Sequence, residues 1–341
     1  MCNMSEYRIK IHQLSPSDMT SLKLFLGFFL QFIFLLSVVN AQGLTVGFYS
    51  QTCPQAEAIV KNVTAQVMSV APSLGAPLMR MHFHDCFVRG CDGSVLLNSS
   101  TNQAEKDAAP NLSLRGFQII DRVKSALENA CPGVVSCADI LALVARDVVV
   151  ALDGPSWKVE TGRRDGSVSN ITEALTNLLP PSSNITQLIS GFQQKGLSVK
   201  DLVVLSGGHT VGTSHCSAFT SRLYNFTGNG DTDPSLDPNY IARLKIKCPQ
   251  GDQNTLVEMD PGSFRTFDED YFTLVNKRRG LFQSDAALLN NNETRAYVIS
   301  QLSNSSSTFF TDFGVSMVNM GRIGVLTGTA GEIRKVCALV N

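Results

Sequence analysis

The amino-acid sequence predicts a mainly α-helical fold. Apolar residues recur at spacings of three and four, the period of one helix face, in segments such as 55–70 and 117–127. Ser136 and Ser198 each stand three residues before an aspartate, a spacing typical of a helix start. The alternation of apolar and polar residues that marks a half-buried strand is scarce.

The first predicted helices have clear ends. Pro72 stops the helix of residues 55–70, and the stretch 73–84 is helical again. Residues 98–114 are polar and irregular and predict a long loop. The next helix begins at Phe117 and stops at Cys131-Pro132-Gly133.

The second half of the chain combines a central helix with shorter ones. Residues 136–152 predict a helix that is apolar nearly all round and should lie in the middle of the fold. Residues 153–181 hold a break, a short extended segment and a loop, and are the expected boundary between two lobes. Gly207 and Gly208 should end the helix that starts at Ser198. Further helices are predicted at 239–247, 269–277, 293–304 and 307–320.

The N-terminus predicts a targeting segment. Residues 22–39 are almost wholly apolar, with Lys10 and Lys23 among the basic residues around their start and Val39-Asn40-Ala41 behind. This pattern predicts a secretory signal peptide over residues 1–41 that is removed after Ala41. An uncleaved membrane anchor is the alternative, because about 18 apolar residues nearly span a bilayer.

The charge balance excludes some partners. The whole chain has 28 basic and 29 acidic residues, and without residues 1–41 it keeps 25 and 27, a net charge of −2. This argues against nucleic acid and against an anionic membrane surface. The remaining chain of about 300 residues can bury a large core in one domain or in two lobes.

The cysteines predict an oxidising compartment. One of the nine, Cys2, lies in the segment to be removed, and an even number remains. Eight cysteines predict four disulfides, and about 105 pairings are possible. No Cys-x-x-Cys-His is present, which excludes attached c-type haem by motif. The sequons of a glycoprotein start at Asn62, Asn98, Asn111, Asn170, Asn184, Asn225, Asn292 and Asn304.

The stretch 80–94 holds the strongest candidates for functional residues. Arg80 and His84 are four residues apart, so both project from one helix face, a fixed cation beside a base that titrates near neutral pH. Asp85, Asp92 and Ser94 offer hard oxygen ligands in a glycine-bearing loop, which suits Ca²⁺. The alternatives are a surface ion-pair face and acidic turns in solvent.

Two motifs resemble the haem-site signatures of secreted plant (class III) peroxidases. They are Arg-Met-His-Phe-His-Asp-Cys-Phe at 80–87 and Leu-Ser-Gly-Gly-His-Thr at 205–210. The resemblance extends from Phe48 to Cys337. Shorter matching stretches are Arg115-Gly116-Phe117, Val135 to Asp139, Gly162 to Asp165, Arg222 to Asn225 and Gly321 to Ile323.

The resemblance implies a two-lobed helical haem peroxidase fold. A single domain, 42–341, would hold one non-covalent haem b between a distal lobe, about 42–165 plus a C-terminal return, and a proximal lobe, about 182–306. The family's disulfides would pair Cys53 with Cys131, Cys86 with Cys91, Cys137 with Cys337 and Cys216 with Cys248.

The resemblance also implies catalytic roles. His209, at a helix end, would be the axial haem ligand, with Asp285 accepting its other N–H; without the resemblance, His209 is equally a helix-capping residue. His84 would be general base and then acid, and Arg80 would stabilise charge on the departing oxygen. Asn111 would accept the N–H of His84 and so be buried and unglycosylated. The carboxylate of Glu105 would follow in that network, Phe83 would direct donors to the haem edge, and His82 would be structural.

Two calcium ions per chain are implied as well. The distal ligands would be Asp85, Val88, Gly90, Asp92 and Ser94, and Glu105 would belong to the same metal site. The proximal ligands would be Thr210, Asp260, Ser263, Thr266 and Asp268.

One position departs from the family. The usual Asn-Leu-Pro-x-Pro of the aromatic-donor site is Asn177-Leu178-Leu179-Pro180-Pro181 here. Leu179 keeps a carbonyl for a phenolic donor but lacks the fixed φ of proline, unless the loop slips by one residue.

The resulting expectation is a secreted, monomeric peroxidase that reduces hydrogen peroxide while oxidising two phenolic or aromatic donors by one electron each. Lignification, wall cross-linking, the response to oxidative stress and hydrogen peroxide catabolism are the expected contexts, in the apoplast or cell wall rather than the vacuole. The alternatives are an oxidase or hydroxyl-radical role, a haem-bearing wall-binding protein with little turnover, and an anchored form.

Overall fold

The computed structural model describes residues 43–302 and 307–341, and residues 44–341 form one compact unit. The predicted signal peptide, its membrane-anchor alternative and the sequon at Asn304 lie outside the described residues. Within those residues, no helix combines the length and apolar character needed to cross a bilayer.

The described chain is mainly helical, as predicted, with two small antiparallel pairs of strands. Strand β1 (Thr45–Val46) pairs with β2 (Glu160–Thr161), and β3 (Thr213–His215) pairs with β4 (Leu256–Glu258). The α-helices are α1 Ala56–Val70, α2 Gly75–Val88, α3 Phe117–Ala130, α4 Cys137–Ala151, α5 Ile171–Asn177, α6 Ile185–Gln194, α7 Val199–Ser206, α8 Thr220–Tyr224, α9 Pro238–Lys247, α10 Asp270–Asn276, α11 Gln283–Ala287, α12 Asn292–Ser300 and α13 Phe309–Met320.

Helix α4 is the centre of the main core. Its residues from Cys137 to Val149 are all buried, and it packs against α1, α2 and α3. Ser136 caps it by accepting a hydrogen bond from the N–H of Asp139. The carboxylate of Asp139 does not close the predicted capping box; it accepts from Tyr49 Oη at 2.7 Å and from Arg163 Nη1 at 2.8 Å. A buried ion pair therefore holds the helix start.

Four disulfides join the chain, with the pairing that the resemblance implied: Cys53–Cys131, Cys86–Cys91, Cys137–Cys337 and Cys216–Cys248. The bridge between Cys137 and Cys337 spans 200 residues and attaches the C-terminal segment to the start of α4. A chain-entropy description gives such a loop roughly 5 kcal/mol, an upper figure. Cys216 and Cys248 lie in a second, smaller apolar core.

The structure differs from the sequence prediction around residues 153–194. The expected extended segment contains the two-residue strand β2 and isolated β-bridges at Arg164 and Asp165. Two helices that we did not predict, α5 and α6, follow it. Their start signals are present: Asn170 caps α5, and Asn184 forms a capping box with Gln187 at α6. Both asparagines also begin sequons. The division into lobes stays a prediction.

Candidate active site

Helix α2 carries Arg80 and His84 one turn apart, as the spacing predicted. Arg80 is exposed, and its guanidinium is held by two hydrogen bonds from its nitrogens, to Ser113 Oγ at 2.9 Å and to the Pro110 carbonyl at 2.8 Å. Part of the side chain is open to solvent, but the protein around the guanidinium desolvates it and lowers the pKa of Arg80 to about 10. The group therefore stays charged at neutral pH and is fixed in place.

His84 is buried and held by Asn111. The amide nitrogen of Asn111 donates to the Glu105 carbonyl at 2.7 Å, which fixes the orientation of the amide, and its Oδ1 faces His84 Nδ1. Because Oδ1 can only accept, Nδ1 carries the proton and Nε2 keeps its lone pair. Burial and the charge of Arg80 lower the pKa of His84 to about 3, against the hydrogen bond of Asn111. His84 is therefore a neutral base.

The role of Glu105 differs from the expectation. Asn111 bonds to the main-chain carbonyl of Glu105, whereas we expected the carboxylate. Residues 105–107 form a 3-10 turn that aims the carbonyl at Asn111 and leaves the carboxylate elsewhere. Burial and the negative charge of Asp85 raise the pKa of that carboxylate to about 9. Glu105 therefore belongs to the acidic cluster beside α2.

Two further predicted residues flank this region. Phe83 is half-buried on α2, with its ring 5.7 Å from the ring of His84. Leu179 is half-buried and packs closely on Gly191 of α6. A Cβ added to Gly191 would lie 2.8 Å from the Leu179 side chain. The Pro180 carbonyl accepts from the Ser183 N–H at 3.0 Å, so it is already used within the loop.

His209 lies in a 3-10 turn, Gly207–Thr210, that continues from α7. Helix α7 ends at Ser206, directly before the two glycines, as predicted, although Gly207 keeps an ordinary helical φ of −57°. A Cβ at Gly207 would lie 2.5 Å from Phe309, and this close packing is what requires the glycine. His209 is 36% exposed although its turn is otherwise buried.

Asp285 fixes the ring of His209. His209 Nδ1 lies 2.8 Å from Asp285 Oδ1, and the Phe282 N–H donates to Oδ2 at 2.8 Å. Burial raises the pKa of Asp285, but the charge of His209 and these hydrogen bonds outweigh it and hold the pKa below its ordinary value. The carboxylate thus accepts from Nδ1, and Nε2 of His209 remains for a ligand.

The His209 turn packs directly on α2. A Cβ at Gly208 would lie 3.2 Å from Met79 Cε, and one at Gly212 would lie 2.9 Å from Ala76 Cβ. The segment that carries His209 therefore borders the helix that carries Arg80 and His84. The first histidine motif thus lies on α2 and the second packs against the same helix, although the two motifs are far apart in sequence.

A buried acidic cluster follows His84. Burial raises the pKa of Asp85, with the charge of Asp92 adding to it, and burial also raises the pKa of Asp92. Within the described chain, Ser94 Oγ and both oxygens of Glu105 are buried without a hydrogen-bond partner. Three carboxylates and unpartnered oxygens in one buried place fit a divalent cation. The Val88 carbonyl accepts from Lys195 Nζ at 3.0 Å and has a second lone pair left.

A second oxygen cluster follows His209. Thr210 Oγ1 donates to Asp268 Oδ1 at 2.9 Å, and burial together with Asp268 raises the pKa of Asp260 to about 7. Ser263 Oγ is buried without a partner among the described residues. Thr266 lies in the same loop, where its N–H donates to the Ser263 carbonyl at 2.6 Å. The five predicted proximal residues therefore lie in two neighbouring segments.

Sequence reasoning missed Tyr271 and Lys195. The Tyr271 hydroxyl donates to Asp285 Oδ1 at 3.0 Å, and Lys195 Nζ bonds to both Val88 and Asn177. Neither residue belongs to the quoted motifs, and their partners are distant in sequence.

His82 is buried, and burial with the charge of Arg163 lowers its pKa to about 3, which agrees with a structural role. It adjoins Cys86, whose sulfur is in a disulfide and unavailable to a metal.

Comparison with known proteins agrees with this geometry. Residues 60–304 match the family model described as peroxidase. The chain is 67% identical to peroxidase 27 of Arabidopsis thaliana over 91% of its own length and 96% of that protein. It is 62% identical to peroxidase 56 of the same plant, covering 92% and 96% of the two chains, and 56% identical to its peroxidase 3, covering 94% and 98%. The chain belongs to the plant haem peroxidase family and is a peroxidase that uses hydrogen peroxide.

Proposed function

We propose that this peroxidase binds one haem b through His209 and oxidises small phenolic or aromatic donors. The family implies haem, and the residues fit it. The Nδ1 of His209 is occupied by Asp285, which leaves Nε2 as the single free nitrogen of a half-exposed ring in a buried turn. A proximal histidine with its other nitrogen bonded to a carboxylate is an electron-rich ligand. When bound, haem supplies the redox chemistry, passing two electrons to hydrogen peroxide and recovering them one at a time from two donor molecules.

The single observation that carries the proposal is the arrangement of Asn111, His84 and Arg80. Neutral His84 takes the first proton of hydrogen peroxide on Nε2, because Nδ1 is committed to Asn111. His84 then returns that proton to the departing oxygen. Arg80, charged and held by Ser113 and Pro110, stabilises the negative charge on that oxygen until the proton arrives.

We assign one calcium ion to each oxygen cluster. The distal ion would be held by side-chain oxygens of Asp85, Asp92 and Ser94 with carbonyls of Val88 and Gly90, and Glu105 supports that site. The proximal ion would be held by Thr210, Asp260, Ser263, Thr266 and Asp268. The support is the set of buried oxygens without partners and the carboxylates whose pKa burial raises. Each ion would stiffen the segment that carries one of the two histidines.

The donor site is proposed to be the loop around Leu179. A phenol hydroxyl would donate to the Leu179 carbonyl, which accepts no hydrogen bond within the described residues, whereas the Pro180 carbonyl already accepts from Ser183. Phe83 would keep donors at the edge of the haem.

The wider role proposed is that of a secreted monomer of the apoplast or cell wall. The four disulfides support an oxidising compartment. In that setting, removal of hydrogen peroxide under oxidative stress would be coupled to lignification and wall cross-linking, since phenolic radicals couple with one another.

Native mass spectrometry and donor kinetics test the proposal together. The purified protein should carry one haem and two calcium ions, and peroxide-dependent oxidation of guaiacol should depend on His209. A His209→Ala protein that keeps its disulfides but still binds haem with the same absorption would contradict the ligand assignment. Zero bound calcium in a fully active protein would contradict the metal assignment.

A further inference from the structure

Tyr271 is a buried phenol that touches the His209–Asp285 pair. It lies in the first turn of α10, and only 2% of its surface is exposed. Its hydroxyl donates to Asp285 Oδ1 at 3.0 Å, the same oxygen that faces His209 Nδ1 at 2.8 Å. Its ring meets the ring of His209 edge to face, with the centroids 6.1 Å apart. Two donors therefore share one carboxylate oxygen.

The direction of this hydrogen bond is settled by chemistry. Burial and the negative charge of Asp285 raise the pKa of Tyr271 well above its ordinary value, so the phenol keeps its proton. Asp285 is a carboxylate and can only accept. Its other oxygen, Oδ2, accepts from the Phe282 N–H. The carboxylate is thus held on both sides, and Tyr271 has no other acceptor among the hydrogen bonds of the described residues.

We propose that Tyr271 limits the electron density that Asp285 transfers to His209 and so raises the reduction potential of the haem iron. The inference rests on the proposed role of His209 as the haem ligand. A hydroxyl that donates to Oδ1 draws negative charge toward itself, which makes that oxygen a weaker acceptor for the His209 N–H. His209 then holds its own proton more firmly and is a less electron-rich ligand. A weaker ligand favours the less oxidised iron.

Tyr271 is accordingly a positioning and tuning residue and touches neither peroxide nor donor. Asp285 alone would make His209 a strongly electron-donating ligand. The Tyr271 hydroxyl opposes that effect because it donates to the same oxygen, Asp285 Oδ1. Tyr271 and Asp285 together set the electron density on His209. The ring of Tyr271 packs edge to face against Phe272, which helps to hold the ring and its hydroxyl oxygen beside Asp285.

The test is Tyr271→Phe, which removes the hydroxyl and keeps the ring. The ferric–ferrous midpoint potential is measured by spectroelectrochemical titration, and the iron–histidine stretching frequency by resonance Raman spectroscopy of the ferrous protein. The proposal predicts a lower potential and a higher frequency in the variant. A folded, haem-loaded variant with both values unchanged, or shifted the other way, overturns it.

Tyr297→Phe is the matched control. Tyr297 is also a partly buried tyrosine whose hydroxyl bonds to a carboxylate, Asp312, at 2.9 Å, but it lies on α12 and does not contact Asp285. It should leave the potential and the stretching frequency at the wild-type values. A shift as large as that of Tyr271→Phe would show a general packing effect and overturn the assignment.

A second substitution keeps the test decisive if Tyr271→Phe fails to load haem. Replacing Tyr271 by 3-fluorotyrosine strengthens the donor, so the potential must rise and the stretching frequency must fall. Failure of the underlying function is distinguishable. A wild-type protein whose haem shows no iron–histidine stretch contradicts the ligand role of His209 and this inference with it, whereas intact histidine ligation with unchanged variants contradicts Tyr271 alone.

Discussion

Asn111→Val is the most informative single change in the distal region. Valine approximates the volume of asparagine but neither accepts the proton of His84 Nδ1 nor donates to the Glu105 carbonyl. The imidazole of His84 then loses the partner that fixes its tautomer and ring orientation. Arg80 and His209 are left unchanged.

The magnitude follows from these contacts. Loss of a partner that orients a functional histidine typically costs about 10–100-fold in activity, which corresponds to about 1.4–2.7 kcal/mol of transition-state stabilisation. The hydrogen bond that His84 donates to Asn111 also raises the pKa of His84, so its loss lowers that pKa further and weakens the base. Two buried groups without partners should each cost about 1–3 kcal/mol of folding free energy.

The assay is stopped-flow absorbance of the haem-loaded variant against hydrogen peroxide concentration. The second-order rate constant should fall about 10–100-fold, while the rate of guaiacol oxidation by the already oxidised enzyme should stay near wild type. Asn111→Asp is the comparison variant: like valine, it cannot donate to the Glu105 carbonyl, but it keeps an oxygen acceptor for His84 and should therefore retain more of the peroxide rate than Asn111→Val. A wild-type rate constant in a folded Asn111→Val protein would refute the reasoning.

Three further predictions concern pH, calcium and the donor loop. Burial and the charge of Arg80 lower the pKa of His84 to about 3, so the neutral base is present above that pH. The peroxide rate constant should therefore decline only as pH falls through about 3. A decline centred near 6.5, the ordinary pKa of histidine, would contradict this. Chelation of calcium should lower the melting temperature, because the buried carboxyl groups of Asp85, Asp92 and Glu105 then lose the cation that stabilises their charged forms. An unchanged melting temperature after verified metal loss would count against both sites. Lys195→Met removes the hydrogen bonds that join Val88 to Asn177, and it should raise KM for phenolic donors several-fold while the peroxide rate constant stays unchanged. The exposed control Lys200→Met should change neither quantity. Equal effects of the two substitutions would refute a role of Lys195 in the donor loop.

Local signals in the sequence explain what could be predicted. The four-residue spacing of Arg80 and His84, the cap at Ser136 and the apolar run of α4 depend on neighbouring residues, and the structure has all three. The contacts of His84 with Asn111, 27 residues away, and of His209 with Asp285, 76 residues away, depend on how distant segments fold together. Only the family resemblance made those two pairs predictable.

The remaining features depend on backbone geometry that residue types do not reveal. Whether the carbonyl or the carboxylate of Glu105 meets Asn111 is decided by the 3-10 turn at 105–107. Tyr271 is one of several aromatic residues in its region, and its hydroxyl matters only because α10 sets it beside Asp285. The role of Lys195 could not be predicted either, because its two partners, Val88 and Asn177, lie in separate segments.

The most direct test of the central claim mixes the haem-loaded protein with one equivalent of hydrogen peroxide beside a His84→Ala variant. The account predicts a rapid loss of Soret absorbance in the wild type and a loss slower by a factor on the order of 100 or more in the variant, because the base and acid are missing. A variant that reacts as fast as the wild type, or a wild type whose Soret band peroxide leaves unchanged, would contradict the assignment of His84.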